Sequence, residues 1–134
     1  WTWYFDDGSA QLTTPNDTVH HTFRESGIFR VELQAKEKGG CIAQVQKQVQ
    51  VRANPVAVFR ANPTACADTT IFKDESEIAE GDIKQWHWYF GDNTDQVINY
   101  PDDADTKHLY PPYLNTYEAS LTISDEFGCT DSIS

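Results

Sequence analysis

At 134 residues the chain has room for one large domain or two small ones, and its 39% hydrophobic content, with four Trp, seven Phe and six Tyr, supplies enough apolar surface to argue against disorder. Ten Lys and Arg stand against 21 Asp and Glu, and the formal net charge of −11 repels phosphate backbones and anionic lipid surfaces, so nucleic acid is disfavoured as a partner. No apolar run approaches the roughly 18 residues of a membrane-spanning helix, which excludes membrane insertion by a helix.

Trp1, Trp3 and Phe5 alternate with Thr2 and Tyr4. A period of two sends the three large rings to one face of a strand, the inward face of a β-sandwich. Asp7 and Gly8 then stop the strand, being suited to turns and to positive φ. Gly27 is expected in a tight turn, after which Phe29, Val31, Leu33 and Ala35 alternate with Arg30, Glu32 and Gln34 as a half-buried strand. From Ala43 to Val51 the alternation continues, with Gln lining the solvent face and Lys47 interrupting the inward set, as at a sheet edge.

Residues 52–55 read as a short linker, residues 56–59 as the next strand and residues 74–85 as a polar loop. Trp86, Trp88 and Phe90 then repeat the aromatic alternation, and Asp92 and Asn93 repeat the turn. Asn115 stands where Gly27 stood, ahead of Tyr117, Ala119, Leu121 and Ile123, which alternate with Glu118, Ser120 and Thr122. No segment carries sustained helical periodicity with caps. The expected fold is all-β and antiparallel.

The landmarks recur in order. Trp1 returns as Trp86 at an offset of 85, His21 and Phe23 as His108 and Tyr110 at 87, and Phe29 and Cys41 as Tyr117 and Cys129 at 88. Such self-similarity means two tandem immunoglobulin-like β-sandwich modules. Residues 1–53 are read as the C-terminal part of one module and residues 54–134 as a nearly complete second one. The first is expected to lack its N-terminal strands and the second its last strand, with the parent polypeptide continuing in both directions. The two cores are expected to hold Trp1, Trp3, Phe5 and Phe29, and Trp86, Trp88, Phe90 and Tyr117.

Trp88, Tyr89, Phe90, Gly91, Asp92 and Asn93, followed by His108, Tyr110 and the strand from Tyr117, resemble a PKD (polycystic-kidney-disease) domain, whose hallmark reads Trp-Asp-Phe-Gly-Asp-Gly. Trp3 to Gly8 with His21, Phe23 and Gly27 resembles the same hallmark. Tyr4 and Tyr89 replace the family's first Asp, and Asp6 replaces its Gly, so the calcium ligation of some members does not carry over. The cysteine positions are similar to those of PKD-like modules in large secreted and cell-surface adhesins of gliding bacteria. The resemblance implies an extracellular or bacterial cell-surface setting and a part in cell adhesion or gliding motility.

Cys66 and Cys129 belong to one module and are expected to form a disulfide bond, in keeping with an oxidising compartment. The loop so closed would add roughly 4 kcal/mol of stability. Cys41 would pair with a cysteine outside this chain, and three buried thiols are the alternative. Carbohydrate stacking on the Trp pairs is set aside because their alternation turns them inward, which leaves Tyr4 and Tyr89 as candidates for surface recognition. Asp6, Asp7, Asp102, Asp103 and Asp105 are read as a solvated acidic surface in preference to calcium ligands, because they lack the spacing of a calcium loop. No zinc spacing surrounds His20, His21, His87 or His108, so no metal and no other cofactor is expected. Nucleophile-elbow, metalloprotease and phosphate-loop motifs are missing, and the chain is not expected to be an enzyme. The preferred function is a non-catalytic structural or interaction repeat, a stiff spacer or adhesive module touching neighbouring modules of its own chain and an extracellular protein or glycan. An accessory substrate-binding module of a secreted hydrolase is the alternative.

Overall fold

The computed structural model describes residues 1–63, 69–111 and 116–134, and among these residues there is no helix. The strands are β1 (Thr2–Tyr4), β2 (Leu12–Thr13), β3 (Gly27–Lys36), β4 (Ile42–Val51), β5 (Phe59–Pro63), β6 (Thr69–Asp74), β7 (Ile83–Tyr89), β8 (Asp95–Asn99), β9 (Thr106–Leu109), β10 (Ser120–Asp125) and β11 (Thr130–Ile133). All of their pairings are antiparallel. The chain is all-β, with tandem immunoglobulin-like modules, and it divides into two compact units, Trp1–Ala53 and Asn54–Ser134.

The second unit has two layers, a four-stranded sheet in the order β11-β10-β7-β8 and a three-stranded sheet in the order β5-β6-β9. Alternation along β7 turns Trp86 and Trp88 inward, and register sets Trp88 opposite Leu121, with Trp86 between Ile123 and Ile98. The register shifts between Ser124 and Asp125, so Ile83 also reaches the core despite its odd spacing from Trp86. From the facing sheet, the Phe59 and Phe72 rings lie 5.5 and 5.6 Å from Trp88, whose side chain is fully buried. Both indoles find polar partners: Trp86 Nε1 donates to Asp74 Oδ2 at 2.8 Å and Trp88 Nε1 to the Ala104 carbonyl at 3.1 Å.

The first unit forms one four-stranded sheet in the order β2-β1-β3-β4, the counterpart of β8-β7-β10-β11. Phe5 is buried and Trp3 half-buried, but Trp1 is 44% exposed. The expectation that Trp1 is a core residue is therefore corrected: among the described residues, no second sheet of its unit lies over that face. Phe29 and Tyr117 are half-buried. β4 is an edge strand, and all of its residues except Val51 are exposed.

Three local expectations also change. Gly27 is not a turn residue but the first residue of β3, paired with Val51. The Val56 strand reduces to an isolated bridge with Glu77, and β5 begins at Phe59. The 74–85 stretch is not wholly loop, because β7 already begins at Ile83. Asn115 and Cys66 lie outside the described residues.

Candidate functional site

The most elaborate side-chain arrangement occurs twice, at the turn that follows each aromatic strand. After β7 the chain must reverse within a few residues, and Gly91 and Asn93 do so with φ of 80° and 69°. After β1 the same two left-handed positions fall to Asp6, at 57°, and Gly8, at 77°. Asp, Asn and Gly are the residue types that tolerate this region, and the two copies distribute them in opposite order.

Between those positions sits the aspartate. Asp7 Oδ1 accepts hydrogen bonds from Ser9 N (3.1 Å) and Ser9 Oγ (2.5 Å), while Oδ2 lies 2.7 Å from His21 Nε2. Asp92 repeats this with Thr94 N (3.1 Å), Thr94 Oγ1 (2.5 Å) and His108 Nε2 (2.8 Å). An ionised carboxylate only accepts, so Nε2 of each histidine carries the proton that is shared. The Asp7 and Asp92 side chains are 11% and 9% exposed.

The Ser9 hydroxyl, followed by the His21 contact, draws the Asp7 carboxyl down from 3.8 to about 2. For Asp92, burial pushes upward, but the Thr94 and His108 hydrogen bonds outweigh it and the carboxyl ends below its usual range.

Rings complete each cluster. His21 stacks on Phe5 with centroids 3.7 Å apart, and meets Phe23 edge-on at 4.8 Å; Phe23 stacks on Phe29 at 4.5 Å. His108 stacks on Phe90 at 4.0 Å and meets Tyr110 edge-on at 4.6 Å, with Tyr117 stacked beyond at 4.5 Å. Tyr110 also donates its hydroxyl to the Phe90 carbonyl at 2.9 Å, and burial, then Asp92 and Tyr117, raises its phenol above the usual range. Sequence reading found both histidines as recurrent landmarks but missed their aspartate partners. The recurrence of Asp7 and Ser9 as Asp92 and Thr94, at the offset of the Trp strand, is the signal that points to them.

Serine, histidine and aspartate thus meet, but in the wrong order for nucleophilic catalysis. The hydroxyls donate to the aspartate, and the histidine nitrogen facing that aspartate, which in the second copy also lies 3.4 Å from Thr94 Oγ1, carries its proton toward the carboxylate and so does not serve the hydroxyl as its base. The arrangement fixes a turn.

The outward faces hold the tyrosines. Tyr89 is 41% exposed; its hydroxyl lies 2.8 Å from His87 Nδ1, and His87 Nε2 lies 2.7 Å from Asp95 Oδ2. Tyr4 is half-buried and borders an open depression of about 540 Å³ with Arg30, Glu32, Gln34 and Gln46. There Glu32 accepts hydrogen bonds from Gln46 and, at 2.7 Å, from Gln34, and Gln46 first, then Gln34, hold its carboxyl below the ordinary range.

The remaining candidates are dispersed. Asp103 accepts the Asp105 amide at 3.1 Å within a local turn, whereas Asp105 accepts the Asp74 amide at 2.9 Å and Asp6 the Arg30 amide at 3.4 Å across distant segments of the backbone. Among the described residues, no group of three or more His, Cys, Asp or Glu is placed to hold a metal ion. Cys129 is half-buried and follows the turn in which Asp125 Oδ1 accepts the Phe127 and Cys129 amides at 2.9 and 2.8 Å. Cys41 occupies the matching turn of the first unit and is exposed.

A family model described as PKD domain matches residues 52–134, and a second with the same description matches residues 1–51. No curated protein and no solved structure matches the chain.

Proposed function

Because the chain belongs to the PKD domain family, whose members are generally non-catalytic structural or interaction modules of extracellular and cell-surface proteins, we propose that it serves as a non-catalytic spacer and adhesion repeat of a secreted or surface-exposed bacterial protein. The observation that carries this reading is the doubled turn cluster. In both units the potentially reactive Asp, His and hydroxyl groups hold one another and the backbone, so their recurrence serves rigidity of the module. Partners are neighbouring modules of the same polypeptide and an extracellular protein or glycan met through the sheet faces around Tyr4 and Tyr89. A Cys66–Cys129 bridge in an oxidising compartment belongs to the same reading, as does a setting like the adhesins of gliding bacteria. The exposure of Tyr89 also favours a second reading, an accessory module that holds substrate near a hydrolase domain.

The test pairs two measurements. Incubation with chromogenic ester, peptide and glycoside substrates is expected to give no turnover above buffer. An array of extracellular glycans and matrix proteins is expected to give binding that Tyr89→Ala or Tyr4→Ala removes without lowering the melting temperature. Turnover that disappears in His108→Ala would overturn the non-catalytic reading, and binding unaffected by both tyrosine variants would overturn the assignment of the surface.

A further inference from the structure

We propose that Tyr89 is the preferred site of one-electron oxidation on this chain, its phenolic proton passing to His87, and that Tyr89 radicals from separate copies join as a dityrosine cross-link. The inference goes beyond the spacer and adhesion role and does not depend on it.

Register builds the site on the solvent face of the β7–β8 pair. His87 and Tyr89 stand two apart on β7, so both point away from the core that takes Trp86 and Trp88. β8 sets Asp95 opposite Tyr89, one diagonal step from His87. Asp95 Oδ2 lies 2.7 Å from His87 Nε2, and an ionised carboxylate only accepts, so Nε2 carries the proton. In the neutral imidazole Nδ1 is then the acceptor, and the Tyr89 hydroxyl, 2.8 Å away, donates to it. The two rings pack with centroids 4.0 Å apart, which holds the hydroxyl against the imidazole. In the turn clusters the carboxylate takes the hydroxyl's proton; here the hydroxyl faces an imidazole nitrogen free to accept.

A phenol that loses an electron becomes a far stronger acid, so a base already in hydrogen-bond contact lowers the barrier to its oxidation. The electron leaves to an oxidant of the ferryl-haem or outer-sphere metal-complex class, the O–H bond breaks, and the proton moves to Nδ1, giving an imidazolium that Asp95 pairs. When two phenoxyl radicals meet, a carbon–carbon bond forms between their ortho positions, and the hydrogen on each of those carbons moves to its phenolic oxygen. The pair has then given two electrons to the oxidant and, through the two imidazoles, two protons to solvent. Tyr89 is 41% exposed, which opens its ring to another copy.

Other tyrosines of the molecule serve as controls. Tyr100 is more exposed, at 56%, but Lys84 Nζ stands 4.0 Å from its ring centre, and a positive charge there opposes the loss of an electron. Tyr4 holds the place of Tyr89 in the first unit, but the residue two before it is Thr2, whose hydroxyl is engaged with Thr13. Tyr110 gives its hydrogen bond to the Phe90 carbonyl, and burial, then Asp92 and Tyr117, holds its proton more tightly than usual. Between Tyr89 and Tyr100, exposure alone favours Tyr100, whereas a proton acceptor in contact favours Tyr89.

The test exposes the chain, its accessible thiols blocked with iodoacetamide, to photogenerated ruthenium(III) tris-bipyridine with a cobalt(III) ammine as terminal acceptor. Dityrosine is read by its fluorescence and its positions by peptide mapping. Tyr89 is expected in cross-links at least about tenfold more often than Tyr4 or Tyr100, and covalent dimer should fall sharply in Tyr89→Phe. His87→Phe, which keeps a ring beside Tyr89 but removes the base, should bring Tyr89 down to the level of Tyr4. His87→Ala should do the same and regain the preference when imidazole is added. Asp95→Asn should also weaken the preference, and it carries the test should the histidine variants fail to fold. Cross-links led by Tyr100, or a Tyr89 share that the histidine variants or, in their place, Asp95→Asn leave unchanged, overturn the inference.

Discussion

Asp7 and Asp92 each hold a left-handed turn, a hydroxyl and a histidine with two oxygen atoms. The Asp7 carboxyl is drawn from 3.8 to about 2 and Asp92 is drawn the same way, so folding favours the charged form. A depressed pKa contributes stability that is complete above the unfolded value and lost as pH falls through the folded one, which for Asp7 means between 3.8 and about 2. In denaturant titrations, the gap in unfolding midpoint between the native chain and the Asp7→Asn, Asp92→Asn double variant should therefore be wide at about pH 6 and narrow near pH 2. A gap independent of pH would show that the carboxylates act only by shape. Backbone conformation gives a second prediction. A Cβ on Gly91 would stand 2.4 Å from the Glu118 carbonyl oxygen, whereas Asp6 already tolerates the matching position with φ of 57°. Gly91→Ala should destabilise the second unit by about 2 kcal/mol or more, and Asp6→Gly should stabilise the first by up to about 1 kcal/mol, both readable as shifts in unfolding midpoint.

At the scale of the element, one strand pattern has two energetic outcomes. Leu121 and Leu33 occupy matching places, opposite Trp88 and Trp3, but Leu121 is fully buried beneath a second sheet and Leu33 is half-buried. Leu121→Ala should cost about 2–5 kcal/mol, the range for a core truncation that leaves a cavity, and Leu33→Ala about half as much or less. Chemical denaturation of the two variants compares them directly, and equal losses would mean that the face of the first unit is as dry as that of the second. Trp88→Ala, which strips the ring that Phe59 and Phe72 enclose, should fall at about 3–5 kcal/mol.

Across the whole molecule, the second unit has a two-layer core and the first a single sheet, so calorimetry should resolve two transitions, with the first unit melting lower. Leu121→Ala should then lower only the upper transition; movement of both together would mean one cooperative block. The strands, their inward faces and the duplication were legible from the sequence because they rest on local rules: a period of two places Trp86, Trp88 and Phe90 on one side whatever surrounds them, and Asp, Asn and Gly permit the reversal after them. The partner of His21, 14 residues away in Asp7, was not legible, since such a contact depends on how distant segments meet. Nor was the exposure of Trp1. Alternation decides which way a ring points, and only the presence of a second sheet opposite decides whether it is dry, so Trp86 is buried and Trp1 is wet although both stand in the same pattern.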